Sequence, residues 1–215
     1  MGNGHDTSSG RGTRTSAGTD QVSTQRERML RGEPYDTRDA ELLALAHRAR
    51  ALIASFTAAP STDLSARWSI LGELLGSVGE EVWIEPPFFV DYGAHVHIGD
   101  RTFVNVNCVF LDSAEIRIGA DGLIAPAVQL LTATHPIRAD ERVLSEAARA
   151  GRSPYCTYAR PITIGDRAWI GAGTIVMPGV TIGDDVVIGA GSLVTTDIPS
   201  GSLAFGHPCR VQRTL

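Results

Sequence analysis

An aliphatic residue returns at every sixth position near the C-terminus: Ile164, Ile170, Val176, Ile182, Ile188 and Val194 follow one another without a slip. Gly165, Gly171, Gly183 and Gly189 stand directly behind four of them. The same step joins Ile98 to Val104, and links Ile118, Ile124 and Leu130. Helices repeat near 3.6 and strands at 2, so neither alone sustains a period of six. A chain that turns a corner every six residues does, and three such segments make one coil of about 18 residues in a parallel β-helix of triangular section. The aliphatic of each segment then points inward and stacks on its equivalent one coil further on, a position that suits Ile and Val. The small residue behind it fits the corner. Residues 164–181 and 182–197 read as two such coils.

Upstream the pattern is helical. Leu42, Leu45, Ala46, Ala49, Leu52, Ile53 and Phe56 form one apolar stripe, with Asp36 or Thr37 as the expected cap and Pro60 beyond the end. A shorter helix fits Leu64, Trp68, Leu71, Leu74 and Leu75, closed by Gly76. A solenoid end exposes strand edges and apolar interior, so these helices are expected to cover the first coil. The division is therefore an expected disordered tail over 1–24, a helical cap over 25–80 and a β-helix over 81–215. The repeat breaks between Leu130 and Ile162, where a loop over 137–160 is expected to be partly helical and to project from the prism. An interruption of that length inside a regular repeat marks function more often than accident.

A net charge of −5 disfavours nucleic acid and anionic membranes as partners. No apolar run approaches the roughly 20 residues that span a bilayer. The Gly-, Ser- and Thr-rich start lacks the apolar core of a signal peptide, and Asp6 spoils a myristoylation match. Cys108, Cys156 and Cys209 are scattered and odd in number, which fits reduced thiols in the cytoplasm.

Of six histidines, His5 and His47 carry no signal. His95 and His97 flank Val96 and would share one side of a strand, a spacing that suits a metal but lacks an evident third ligand. His207 precedes Pro208 near the C-terminus. His135 stands where the repeat stops and the loop begins.

Several segments together resemble one family. They are Glu27-Arg28-Met29-Leu30-Arg31-Gly32-Glu33, Ile84-Glu85-Pro86-Pro87 through Tyr92-Gly93, Phe103-Val104-Asn105-Val106-Asn107, Thr132-Ala133-Thr134-His135-Pro136, the run from Pro161 to Gly171, and Gly206-His207-Pro208-Cys209-Arg210-Val211. They look like the maltose and galactoside O-acetyltransferases, with the nodulation-factor acetyltransferases in the same group. The resemblance runs from about residue 25 to the C-terminus. It implies a left-handed parallel β-helix, an exception to the usual right-handed crossover. It also implies acetyl-CoA as co-substrate, a small hydroxylated acceptor, and a homotrimer with active sites in the clefts between prisms.

By the same resemblance His135 is the catalytic base. An acceptor hydroxyl is a poor nucleophile until its proton is removed, and neutral imidazole can take it near pH 7. The group that orients its other ring nitrogen is open, with Asp112 one candidate. Asn105 is implied to contact acceptor and cofactor alike. Asp91, Phe103, Ser113 and Thr37 are implied to face the acceptor. Ala172 and Ala190, with Trp169, are implied to line the pantetheine channel, and Thr195, Thr196, Arg210 and Arg213 to meet the rest of CoA. All 19 basic residues are Arg, so the Thr-Lys pair common in the family is Thr195-Thr196 here. Ser113 stands where some galactoside enzymes carry Asp, and the loop is long and would border a neighbouring subunit's cleft. Two other readings are a CoA-binding scaffold with a dead site and a metal-dependent hydratase of the same fold. The latter needs three His ligands, and no second His lies near His135 in the sequence.

Overall fold

The structure, a computed structural model, describes residues 1–4 and 23–215, so most of the expected 1–24 tail lies outside the described residues. Thr24 opens helix α1 (Gln25–Leu30) with a capping box: its side chain accepts from the Glu27 amide, and the Glu27 carboxylate accepts from the Thr24 amide. Helix α2 (Ala40–Ala58) follows, burying Leu42, Ala46, Ala49 and Phe56 on one face. Its cap is Asp39, which accepts from the Glu41 amide at 3.0 Å and the Leu42 amide at 3.4 Å. Asp36 does not cap it because its carboxylate is engaged elsewhere, by the amides of Arg38 and Ser153. Helix α3 (Leu64–Leu74), capped by Asp63, ends ahead of Gly76.

The prism begins at Ser77–Val78, inside the span expected to be cap. Its first face stacks Ser77–Val78, Val96–Ile98, Ile116–Ile118, Ile162–Ile164 and Thr181–Ile182 in parallel. The second face stacks Trp83–Ile84, Phe103–Val104, Leu123–Ile124, Trp169–Ile170, Val187–Ile188 and Ser202–Gly206. Cys209–Thr214 then turns back antiparallel on its last strand. The third face stacks Phe88–Val90, Cys108–Leu111, Gln129–Leu131, Ile175–Val176 and Leu193–Val194. Ile84, Val104, Ile124, Ile170 and Ile188 form one inward column, each at most 2 % exposed. Each such side chain contributes roughly 1.5–3 kcal/mol by burial. Phe56, Leu71 and Leu74 of α2 and α3 join this core above Val82, Ile84 and Phe88, which closes the first coil as expected.

The coils are not uniform. The register advances 18 residues from Ile164 to Ile182, as the sixfold repeat requires, but 20 from Ile98 to Ile118 and 16 from Ile182 to Ile198. The surplus in the early coils falls on a single edge, between the third and first faces, at 91–95 and 112–115. The long excursion, residues 132–161, leaves from that same edge. The edge between the first and second faces is regular instead. There Gly99, Gly119, Gly165 and Gly183 stack, and a Cβ on Gly119 would lie 2.7 Å from the Asp166 amide nitrogen. Asp166 and Asp184 use Oδ1 to accept the amides of Ala120 and Asp166, both at 2.8 Å.

The excursion leaves the prism, yet it is fastened at its foot and its side. Ala133–Thr134 and Tyr158–Ala159 pair antiparallel. Two short helices, α4 (Ala139–Arg142) and α5 (Glu146–Arg149), follow the expected partly helical course. Thr157 bridges to Tyr35, the Ser153 amide donates to Asp36 at 2.9 Å, and Arg152 pairs with Asp36 at 3.4 Å. The loop therefore packs on its own chain's N-terminal segment.

Candidate active site

The three enlarged corners and the N-terminal segment enclose a cleft of about 310 Å³. It gathers His135, Asp91, Ser113 and Thr37, four of the expected site residues, from widely separated parts of the sequence. Tyr35, Tyr92 and Tyr155 supply aromatic walls, and Arg50 reaches in from α2. Sequence reasoning missed these four. The signal that marks Tyr92 was present, because it lies in the first stretch where the period of six lengthens.

His135 is exposed at the foot of the excursion. Its Nδ1 lies 2.8 Å from the Cys156 carbonyl oxygen. A carbonyl only accepts, so this contact places the proton on Nδ1 and leaves the Nε2 lone pair open. The Thr157 hydroxyl is a weaker neighbour at 3.4 Å, and the Tyr155 ring meets the imidazole edge-on at 6.5 Å. Asp112 is not the orienting group. It is wholly buried one corner away, accepting from the amides of Tyr92 at 2.9 Å and His95 at 3.3 Å, and burial pushes its carboxyl up from the ordinary range. Its role is to hold the 91–95 corner in shape.

Asp91 emerges from that corner into the cleft. Burial first, and the nearby Asp112 charge second, raise its pKa to about 6 from 3.8, against a smaller lowering by Arg50. A raised carboxyl favours the folded state while protonated and costs stability once ionised. The native chain therefore loses stability as pH rises from about 4 to about 6. Asp91→Asn escapes that cost. It should be more stable than the parent at pH 7 by up to about 3 kcal/mol, with the difference closing as pH falls through the same window. Urea unfolding at several pH values checks this, and a constant difference at all pH values would contradict it.

His95 and His97 do not share a side. His95 is buried in the corner with Nδ1 2.7 Å from the Asp112 carbonyl, whereas His97 faces outward between Ser77 and Glu115, its Nε2 2.6 Å from that carboxylate. The turn between corner and strand separates them. Among the described residues no three His, Cys, Asp or Glu side chains gather as a metal would need.

The remaining expected residues lie elsewhere on the prism. Asn105 sits at the edge between the second and third faces, its Oδ1 accepting the Val106 amide at 2.8 Å. Ala172 and Ala190 are exposed on the same edge, where Gly171 packs too tightly on Ala190 to admit a side chain. Phe103 and Trp169 stand outward on the second face, Phe103 between Trp83 and Leu123 and Trp169 between Leu123 and Val187. Arg210 and Arg213 are exposed on the antiparallel strand that closes this face. That strand also comes against Leu193–Val194, just ahead of the exposed Thr195 and Thr196. Within one chain the structure thus separates the cleft around His135 from Asn105 and the cofactor residues, which spread over the second face and the two edges that flank the third.

Residues 28–79 match the maltose acetyltransferase hexapeptide capping motif, and residues 161–196 match the bacterial transferase hexapeptide with six repeats. Nodulation protein L of Rhizobium meliloti (strain 1021) is 44% identical over 190 residues, which cover 88% of this chain and 98% of that protein. The crystal structure of a maltose O-acetyltransferase from Clostridium difficile 630 superposes with a TM-score of 0.82 at 40% identity, covering 90% of this chain and 98% of the other. A galactoside acetyltransferase in complex with coenzyme A superposes at 0.79 with 36% identity, covering 89% and 91%. Fold and likeness together define an acetyltransferase that uses acetyl-CoA. The chain belongs to the hexapeptide-repeat acetyltransferases, the family that includes the maltose and galactoside enzymes.

Proposed function

We propose that the chain moves the acetyl group of acetyl-CoA to a hydroxyl of a sugar or similar small acceptor, with His135 as general base. The observation that carries this reading is the Nδ1 contact to the Cys156 carbonyl, which leaves Nε2 as an open acceptor in the cleft. Nε2 takes the proton of the acceptor hydroxyl as its oxygen attacks the thioester carbonyl. The tetrahedral adduct collapses, the C–S bond breaks, and the proton passes from Nε2 to the departing thiolate. Asp91, Ser113 and Thr37 accept or donate hydrogen bonds to the acceptor, and the tyrosine rings pack on its body. The relatives named for maltose, galactoside and nodulation support an oligosaccharide-like acceptor.

The reading includes a homotrimer in the cytoplasm. Its support is the division of the site: a neighbouring copy would bring Asn105, Phe103 and cofactor residues to the His135 cleft of the next chain. The second face also carries an outward apolar column, with Trp83 38%, Leu123 43% and Trp169 50% exposed. Such a column on a soluble chain favours burial against a partner. Trp83→Glu together with Leu123→Glu is expected to reduce the assembly to monomer by light scattering, and an unchanged mass would remove this face from the interface. The cytoplasmic placement is supported by free Cys108, Cys156 and Cys209.

The function is tested by thiol release from acetyl-CoA across sugars, glycosides and hydroxylated natural products. Acceptor-dependent release and an acetyl ester on the product bear out the proposal. Tight CoA binding with no release on any acceptor favours the scaffold reading instead.

A further inference from the structure

Beside the His135 cleft lies a second cavity of about 210 Å³, enclosed where the excursion folds onto the α1–α2 connection. The two share Tyr35, Ser153 and Tyr155 as a common wall. Taken alone the second cavity is smaller than the roughly 300–1,000 Å³ of ordinary ligand sites, whereas the two together fall within that range. It is an annex of the cleft, open to whatever part of an acceptor projects past the tyrosines.

Its charge is distinctive. Arg28 and Arg152 both line it. Arg28 is fixed by its Nε, which donates to the Pro34 carbonyl at 2.9 Å, and a carboxylate neighbour, Glu33, is 3.9 Å away. Arg152 meets Asp36 through Nε at 3.4 Å. The terminal guanidinium nitrogens of both have no hydrogen-bond partner among the described residues. Among the described residues Asp36 is the one carboxylate lining the cavity, and its Oδ1 already accepts from the amides of Arg38 and Ser153. Glu33 is drawn off by Arg31 at 2.8 Å, so Arg28, Arg31 and Arg152 stand against Glu33 and Asp36, a local excess of one positive charge in a chain whose total is −5. A guanidinium with free terminal N–H groups is built for two-point contact with a carboxylate.

We propose that the acceptor extends past the acetylated ring and places a carboxylate in this annex between Arg28 and Arg152. The inference rests on the O-acetylation reading and adds the class of acceptor: an acidic glycoside or oligosaccharide. Leu144 and Ala148 give the linking segment an apolar side to lie on, and Tyr155 separates the reacting ring from the acidic one.

The test uses the full chain and matched phenyl and 4-carboxyphenyl glycosides of glucose, galactose and N-acetylglucosamine, with binding measured by calorimetry. At least one carboxyphenyl glycoside should bind about tenfold tighter than its neutral partner, an advantage that shrinks with added salt. Arg28→Gln and Arg152→Gln should each reduce it, and together abolish it, while CoA affinity stays unchanged as the check on folding. Equal affinities, no binding of either glycoside, or an advantage that survives the double substitution would overturn the proposal. Thiol release is measured in parallel. Transfer to neutral acceptors with no preference for the acid removes this inference alone. A preference for the acid with no transfer removes the O-acetylation reading alone.

Discussion

Replacing His135 with alanine should lower kcat by about 10²–10⁴-fold, the range a positioned general base supplies. The Cys156 carbonyl holds the ring with its proton on Nδ1, so Nε2 is the only nitrogen offered to the cleft. Alanine removes that acceptor and leaves attack to an unassisted hydroxyl. The side chain is exposed, so its loss should move stability by no more than about 0.5 kcal/mol. CoA affinity should persist, because none of the residues proposed to hold CoA lines the cleft around His135 in the same chain. Steady-state kinetics with a working acceptor, alongside calorimetric CoA binding, makes the measurement. An unaltered kcat would assign the proton transfer to another group.

Phe110→Ala is expected to cost about 3–5 kcal/mol of stability. The ring is fully buried on the third face and meets Phe88 of the preceding coil edge-on, with centroids 5.2 Å apart at 85°. That geometry adds roughly 0.5–1.5 kcal/mol to its burial. Coils of a solenoid touch only their neighbours, so the gap left at Phe110 cannot be filled from a distant layer. Phe110 also stands just ahead of the corner carrying Asp112 and Ser113, and its loss should loosen the cleft as well as the prism. Urea unfolding gives the number, and a change below about 1 kcal/mol would mean that adjacent coils close over the gap.

The regular half of the fold was readable because its rule is local. Six residues reach from one inward aliphatic to the next, and Ile164, Ile170 and Val176 stack on Ile182, Ile188 and Val194 as that spacing requires. The apolar stripe of α2 was equally plain. Its cap was not, because Asp36, Thr37 and Asp39 are interchangeable in sequence until the excursion draws Asp36 away. The departures from the rule carried more information than the rule itself. The step from Val90 to Ile98 is eight residues, as is the step from Phe110 to Ile118, and both sit on the edge from which the excursion leaves. Reading the gaps as well as the repeats would have pointed to Asp91, Tyr92 and Ser113 from the chain alone. The Cys156 carbonyl is different. A backbone oxygen has no side-chain signature, and only the pairing of Ala133–Thr134 with Tyr158–Ala159 brings it to His135. The annex was hidden for a similar reason: Arg28 and Arg152 are more than a hundred residues apart, joined by a fastening that no local pattern encodes.

The antiparallel return of Cys209–Thr214 covers the last parallel strand of the second face. Every coil offers the next a row of amides and carbonyls, and nothing in a sixfold repeat says when addition should end. On the second face the final strand reverses direction and presents Arg210 and Arg213 along its length. A strand that runs the wrong way, studded with like charges, is a poor template for another chain. The reversed strand thus blunts one face of a shape that would otherwise invite open-ended stacking.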